Sequence, residues 1–211
     1  MSEPTVLPLS FYESDDVVDI AKQLLGKLVT THINDQITSG IIVETEAYRG
    51  PEDRGSHAYG GKYTARNKSM FMQGGHAYVY ICYGIHPMLN VVTAPENIPH
   101  AVLIRAIQPI DGLSTMQIRR SVKHPEFTIC NGPGKLAVAL GITKHLDGCS
   151  LNSPIISISA SNVDPDFSIV SGPRVGMSRN VGTDAHLPWR FYIKNNPWVS
   201  KPLHVDYTGK W

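Results

Sequence analysis

Several strand-like stretches follow one another in this chain without helical patterns between them. They lie at residues 28–33, 40–48, 77–83, 89–93 and 101–107, and they are rich in β-branched and aromatic side chains. Parallel strands need long crossover connections, usually helices, whereas antiparallel strands can follow one another directly. The sequence therefore predicts a mainly antiparallel or mixed sheet, with the remaining elements packed around it.

Helical patterns flank this group of strands. The first has an apolar stripe, with Ser14 as a candidate cap and Gly26 as its end, and the second has Ser114 as a candidate cap. The predicted helices lie at residues 15–25, 114–122 and 134–140, and two further short strands are expected at 155–160 and 190–194. Since no internal repeat or long linker interrupts them, the 211 residues are expected to form one mixed α/β domain.

The composition excludes several classes of protein. Hydrophobic residues make up 42% of the chain, enough for a core, yet no run of about eighteen apolar residues predicts a membrane span. The start of the chain lacks the pattern of a secretory signal. Three widely spaced cysteines, Cys82, Cys130 and Cys149, indicate free thiols in a reducing compartment. We therefore expect an intracellular protein without a membrane anchor.

Charge is distributed unevenly along the chain. Residues 1–60 carry ten acidic and four basic side chains, a net −6, and residues 61–211 carry eight acidic and fifteen basic side chains, a net +7. Lys62, Arg66 and Lys68 lie close together in the basic part. A polyanion could bind such a face, although clusters of this kind are more often ordinary solvated surface.

The best candidate for a chemically active site is the segment 40–48, Gly-Ile-Ile-Val-Glu-Thr-Glu-Ala-Tyr. Side chains alternate between the two faces of a strand, so Glu44, Glu46 and Tyr48 are predicted to share one face. A carboxylate at the end of a strand can hold and deprotonate a water, and an aromatic ring can stack on a flat ligand. Taken alone, the same pattern also fits a face that is simply exposed to solvent.

Two features after this strand favour a site. His57 follows a turn-rich loop closely enough to return to the same pocket, and the segment 66–71 mixes cations with amide donors suited to phosphate contacts. Further on, Tyr80 lies within one strand of a predicted hairpin, and Tyr83 lies where the chain begins to turn at 84–87. An aromatic side chain at a hairpin tip can wedge between base steps, although tyrosines also pack well on sheets.

These segments resemble the alkyladenine (3-methyladenine) DNA glycosylase family. The matching stretches are IVETEAYRGPEDRGSHAYGG, TARNKSMF, AYVYICYGIHPMLNVV, AVLIRAIQPIDGL, NGPGKLAVALGI and PWRFYIKNNPWVS. They occur in the family's order and cover nearly the whole chain, and only the stretch 180–187 matches poorly. The resemblance implies a single mixed α/β domain with a curved antiparallel sheet surrounded by helices and a protruding hairpin that inserts into DNA.

The resemblance also implies roles for individual residues. Glu46 corresponds to the carboxylate that activates water, and Arg105 to the arginine beside that water. Tyr83 corresponds to the residue inserted into the minor groove, and Thr64 and Arg66 to phosphate contacts. The residues expected to form the base pocket are Tyr48, His57, Tyr80 and Asn90, the last on the floor of the pocket, where it would screen purines.

The expected activity is hydrolysis of the N-glycosidic bond of alkylated or deaminated purines flipped out of double-stranded DNA, by a monomer without cofactor or metal. Bases of the 3-methyladenine, 7-methylguanine and hypoxanthine class are the expected substrates. Two other hypotheses remain open from the residues alone. One is a nucleic-acid-binding module without activity, and the other is a metal-dependent hydrolase using His57, His76 and His86, for which the sequence offers no convincing ligand set. The spacing of His76, His86 and Cys82 also fits no strong zinc motif.

Overall fold

Eight antiparallel strands form one hydrogen-bonded sheet in the computed structural model, which describes residues 5–122, 127–162 and 166–200. The strands are β1 (Leu28–Ile33), β2 (Gln36–Arg49), β3 (Ala77–Cys82), β4 (His86–Thr93), β5 (His100–Asp111), β6 (Ile156–Ser159), β7 (Ile169–Gly172) and β8 (Arg190–Ile193). The predicted antiparallel sheet is confirmed, whereas β7 was not predicted.

The long strand β2 lies at the centre of the sheet. The main strand order is β3-β4-β5-β2-β1-β6. Along one edge β2 pairs with β5, and along the other it pairs first with β1 and then, at residues 44–46, with β8. Because both edges are paired and both faces are covered, residues 38–47 are buried without exception. The interpretation of the Glu44–Glu46 face as solvent-exposed is therefore wrong.

The side chains of β2 also do not alternate regularly between the two faces of the sheet along the whole strand. The pairing with β5 shifts register between Ser39 and Gly40 and on both sides of Glu44. Such bulges add a residue to one strand and re-aim the side chains that follow. The sequence pattern carried no signal for these shifts.

Three helices pack on one face of the sheet: α1 (Val17–Gln23), α2 (Leu113–Arg120) and α3 (Pro133–Ala139). The cap of α1 is Asp16, whose Oδ1 accepts hydrogen bonds from the Val18 and Asp19 N–H groups, and not Ser14 as predicted. Ser114 lies inside α2 rather than capping it. The N-cap is Gly112, where a side chain would collide with the Ile37 carbonyl oxygen.

The two faces of the sheet are covered by different apolar clusters. The helix face holds the main apolar cluster, including Val79, Val91 and Ile104. On the opposite face, a loop from β2 to β3 covers a smaller cluster that contains Tyr78 and Val92. In the described part of the chain, none of the helices has the length and apolar character needed to cross a membrane. The second face contains the cavity described next.

Candidate active site

The floor of the cavity is a row of side chains that crosses four strands. Glu46 on β2 lies opposite Leu103 on β5, which lies opposite Asn90 on β4, which lies opposite Tyr78 on β3. Residues directly opposite in antiparallel strands point to the same face, so these four share the face away from the helices. All four line a cavity of about 410 Å³, within the usual range of small-molecule sites.

Glu46 is completely buried from solvent and forms part of the cavity wall. Its Oε1 accepts a hydrogen bond from the Val175 N–H at 2.6 Å and lies 3.3 Å from Arg105 Nη1. Its Oε2 accepts a hydrogen bond from the Tyr48 hydroxyl at 2.9 Å. These three contacts come from three different segments, and they hold the carboxylate in one orientation at the cavity.

Glu44 occupies a closed network behind this wall. Its Oε1 accepts hydrogen bonds from Arg105 Nε and Arg190 Nε, both at 2.8 Å, and its Oε2 accepts one from the Ser200 N–H at 2.7 Å. Burial opposes ionisation, but Arg105, Arg190 and the Ser200 hydrogen bonds outweigh it and lower the pKa of Glu44. Arg105 thus contacts both carboxylates and orients its guanidinium between them.

His57 belongs to an aromatic cluster on the opposite side of the cavity. Its ring centroid lies 4.6 Å from that of Tyr80, and its Nδ1 lies 2.8 Å from the Tyr78 hydroxyl oxygen. Although His57 is exposed as a whole, partial burial of its ring and the charge of Arg66 lower the pKa of His57 to about 4. His57 is therefore neutral near pH 7, and Tyr80, whose pKa burial raises to about 12, stays protonated.

The β3–β4 hairpin carries Tyr83 at its tip, as predicted. Tyr83 is 90% exposed, and both Tyr83 and Gly84 have positive φ, of 50° and 74°, as in the primed turns that close tight hairpins. Ile85, also at the tip, is 71% exposed. An aromatic side chain held in a left-handed turn, and left uncovered by the residues that the structure describes, is available to a partner.

Asn90 is buried, and its amide nitrogen donates to the Tyr78 carbonyl oxygen at 3.0 Å and to the Met88 carbonyl oxygen at 3.3 Å. The cross-hairpin hydrogen bond expected for a structural residue is therefore present. Asn90 also lines the cavity. The main chain thus holds its amide rigidly, which is also what a screening residue on a pocket floor requires.

Thr64 and Arg66 lie on the loop next to the aromatic cluster. The Thr64 N–H and hydroxyl both donate to Asn67 Oδ1, and Asn67 in turn donates to the carbonyl oxygens of His57 and Lys62. Arg66 is exposed and lies over the Tyr80 ring, with its guanidinium carbon 5.3 Å from the ring centroid. Buried Asn67 organises this loop, a role that the sequence analysis missed.

Comparisons with known proteins decide the family. The family model described as methylpurine-DNA glycosylase matches residues 10–197. A Chlamydia abortus protein, provisionally named 3-methyladenine DNA glycosylase, is 48% identical over 193 residues, which cover 90% of this chain and 100% of that protein. A Bacillus cereus protein with the same provisional name is 42% identical over 203 residues, 92% of this chain and 98% of that protein.

The chain belongs to the methylpurine-DNA glycosylase family. The resemblance inferred from the sequence motifs is confirmed, and the protein is a DNA glycosylase, a hydrolase of DNA repair. Its substrate is therefore DNA. Within the residues that the structure describes, no three His, Cys, Asp or Glu side chains are grouped as metal ligands. His76, for example, bonds the Gln73 carbonyl oxygen through Nδ1.

One wall of the glycosylase cavity was missed by the sequence analysis. Val175, Met177 and Val181 line it from the segment between β7 and β8. Arg174 in the same segment forms a buried ion pair with Asp53. A single arginine after a proline gives no periodic signal, and this segment lies next to the stretch where the family pattern is weakest. An aspartate in the PEDR turn and a distant arginine could be paired only once the fold was known.

Proposed function

We propose that this DNA glycosylase flips alkylated or deaminated purines out of duplex DNA and hydrolyses their N-glycosidic bond, leaving an abasic site. Bases of the 3-methyladenine, 7-methylguanine and hypoxanthine class are its proposed substrates, in keeping with the family description and the names of its relatives. The observation that carries the proposal is the buried Glu46 carboxylate on the wall of an aromatic cavity. We further propose that it acts as a monomer, and inside the cell, where the DNA that it repairs is found.

Base flipping is proposed because the glycosidic bond is hidden inside a duplex. Extruding a nucleotide costs a few kcal/mol, and least for damaged or mispaired bases. The exposed Tyr83 ring would fill the gap left in the stack and offset part of this cost. Arg66 would contact phosphates next to the hairpin, and so would Thr64 once its hydroxyl turns away from Asn67 Oδ1. Such contacts position the duplex without selecting a sequence.

The flipped purine would stack between Tyr48 and a ring of the aromatic cluster, His57 or Tyr80. Stacking of a base on an aromatic side chain is worth roughly 1–3 kcal/mol and tolerates many bases. Neutral His57 would not repel a cationic alkylated purine, as an imidazolium would. The pocket would therefore bind both charged and neutral purines.

Bond cleavage would use Glu46 and Arg105. As the C1′–N bond breaks, its electron pair leaves with the base and positive charge builds on the sugar. Glu46 would stabilise that charge and accept a proton from the water whose oxygen bonds C1′, with Arg105 positioning both. No lysine lines the cavity in the described part of the chain, so we propose hydrolysis without a Schiff base or strand cleavage.

Neutral bases such as hypoxanthine need a proton to leave, and His57, with a pKa of about 4, is a poor source of it. Tyr48 already donates its hydroxyl hydrogen to Glu46, and burial and the charge of Glu46 raise its pKa well above the usual value. The Gly55 and Ser56 N–H groups both bond Asp53. Among the three backbone donors of the loop 55–57, that of His57 is the one left to hydrogen-bond a base. We therefore propose that the proton that leaves with a neutral base comes from solvent.

A release assay on methylated duplex DNA tests this proposal against its two rivals. We expect free methylpurines in solution and strands that break only when the abasic sites are treated with alkali. A module that only binds DNA would retain affinity for the duplex and release no base. A metal-dependent hydrolase would lose activity in the presence of a chelator, whereas we expect none to be lost. Strand breaks before alkali would contradict the hydrolytic step.

A further inference from the structure

Arg174 lies buried directly behind the cavity wall. Its side chain is fully buried and its Nη1 and Nη2 atoms contact the two carboxylate oxygens of Asp53, the Nη2 contact at 2.8 Å. Nη1 also donates to the Ala47 carbonyl oxygen at 3.0 Å, and Nη2 to the Asp184 carbonyl oxygen at 3.2 Å. A planar guanidinium with a paired carboxylate is well suited to fixing several segments at once.

The Arg174–Asp53 pair joins three segments of the cavity. Ala47 lies between Glu46 and Tyr48 on β2. Asp53 also accepts a hydrogen bond from the Gly55 N–H at 2.7 Å and so shapes the loop that leads to His57. No side chain replaces Gly55 easily, since a Cβ there would lie 2.8 Å from Arg174 Nη2 and 2.5 Å from Met177 Cε. The pair therefore sets the spacing between the carboxylate strand and the His57 loop.

Arg174 also supports two of the three contacts to the Glu46 carboxylate. The next residue, Val175, supplies the N–H that bonds Glu46 Oε1. The guanidinium carbon of Arg174 lies 4.7 Å from the centroid of the Tyr48 ring, whose hydroxyl bonds Glu46 Oε2. A cation against an aromatic face is attractive and fixes the plane of the ring. Only the Arg105 contact reaches Glu46 independently of Arg174.

We infer that Arg174, paired with Asp53, is a positioning residue that fixes the Glu46 carboxylate and the Tyr48 ring relative to the His57 loop. The inference rests on the proposed function, because it assigns Arg174 a part in base release. Arg174 touches neither water nor base in this role. Loss of its geometry misaligns the groups that do, and small misplacements at a reacting centre can cost about 10²-fold in rate.

The test compares Arg174→Lys with Arg119→Lys. Arg119 is a matched control because it donates hydrogen bonds to Thr38 Oγ1 and to the carbonyl oxygens of Ala139 and Ile33, away from the cavity. Both substitutions keep the charge and lose the guanidinium fork. We expect both to lower the melting temperature, but only Arg174→Lys to lower the single-turnover rate of base release, by roughly 10- to 100-fold, with affinity for the lesion duplex retained.

Asp53→Asn keeps the shape of the partner and serves as a second variant if Arg174→Lys does not fold, with the same loss of rate expected. Wild-type rates in the folded variants, or losses of affinity that match the losses of rate, would overturn the positioning role. Base release by the wild-type protein in the same experiment separates that failure from a failure of the proposed function. A wild-type protein that releases no base would overturn both.

Discussion

Glu44 and Glu46 lie two residues apart on β2, and both are completely buried, yet they belong to different regions of the molecule. Glu44 is enclosed by Arg105, Arg190 and Ser200 and does not line the cavity. Glu46 is held by two hydrogen bonds and the Arg105 ion pair, and it borders the cavity. The region around Glu44 is a closed charge network, whereas the region around Glu46 forms part of the wall of a cavity.

The comparison shows that burial and residue type alone do not assign a role. A carboxylate whose partners enclose it can only hold other groups in place. A carboxylate that its partners orient toward a cavity can act on what enters it. Arg105 contacts both glutamates, so the closed network also fixes the arginine that lies beside Glu46.

Replacing Glu46 by Gln should have the largest effect on catalysis. The amide keeps the volume of the side chain but cannot accept a proton from water, and loss of a general base typically costs about 10²–10⁴-fold in rate. Single-turnover release of 7-methylguanine or hypoxanthine from a defined duplex measures this. A variant that releases either base at close to the wild-type rate would remove Glu46 from the chemistry.

Replacing Glu44 by Gln should instead act mainly on stability. Two buried arginines lose a charged partner, and removal of one member of a buried ion pair costs about 3–5 kcal/mol. Urea unfolding at pH 7 measures the loss. Because the pKa of Glu44 is lowered in the folded state, its stabilisation is complete above the unfolded pKa near 4.5 and is lost as pH falls through the folded value. The variant should therefore lose part of the acid sensitivity of the wild-type protein.

Glu44 and Glu46 would not differ in role as proposed if Glu44→Gln lost no more stability than a surface substitution. A loss of stability no larger than that of an exposed control such as Glu96→Gln would show that the Glu44 network is not structural.

Tyr83→Ala should weaken binding to lesion duplexes more than to undamaged ones. Without the ring the vacated stack stays empty, and flipping becomes less favourable by a few kcal/mol. Ile85→Ala is a matched control, since it removes an exposed apolar side chain from the same hairpin tip. The insertion role fails if fluorescence of a base analogue reports the same flipping in Tyr83→Ala as in the wild type.

Asn90→Ser should have the smallest effect, on selectivity. Guanine differs from hypoxanthine by an amino group at the minor-groove edge, and a rigid amide on the pocket floor would collide with it. Serine opens space, so guanine release should rise relative to hypoxanthine by about 1–3 kcal/mol of discrimination. Release of each base from otherwise identical duplexes gives the ratio. An unchanged ratio with a lower melting temperature would show that Asn90 only stabilises the hairpin through its hydrogen bonds and does not screen purines.

The sequence predicted the sheet, the three helices and the hairpin, because the apolar periodicity and the turn residues of these elements are local signals. It did not predict that Glu44 and Glu46 are both buried, since the groups that cover them, Ser200 and Val175, come from far along the chain. Glu46, Tyr48 and His57 could be proposed from one segment and the family resemblance. Arg174 and Val175 could not, because they reach Glu46 from a distant loop without a periodic pattern.

The central claim is that Glu46 performs the chemistry after the base has been flipped. The most direct measurement follows the fluorescence of a base analogue placed beside a hypoxanthine in a duplex bound to Glu46→Gln at saturating protein concentration. We expect the signal of the flipped base to form with wild-type amplitude and then to persist, because the base is held but not released. A signal that decays at the wild-type rate, or that never forms, would contradict this claim.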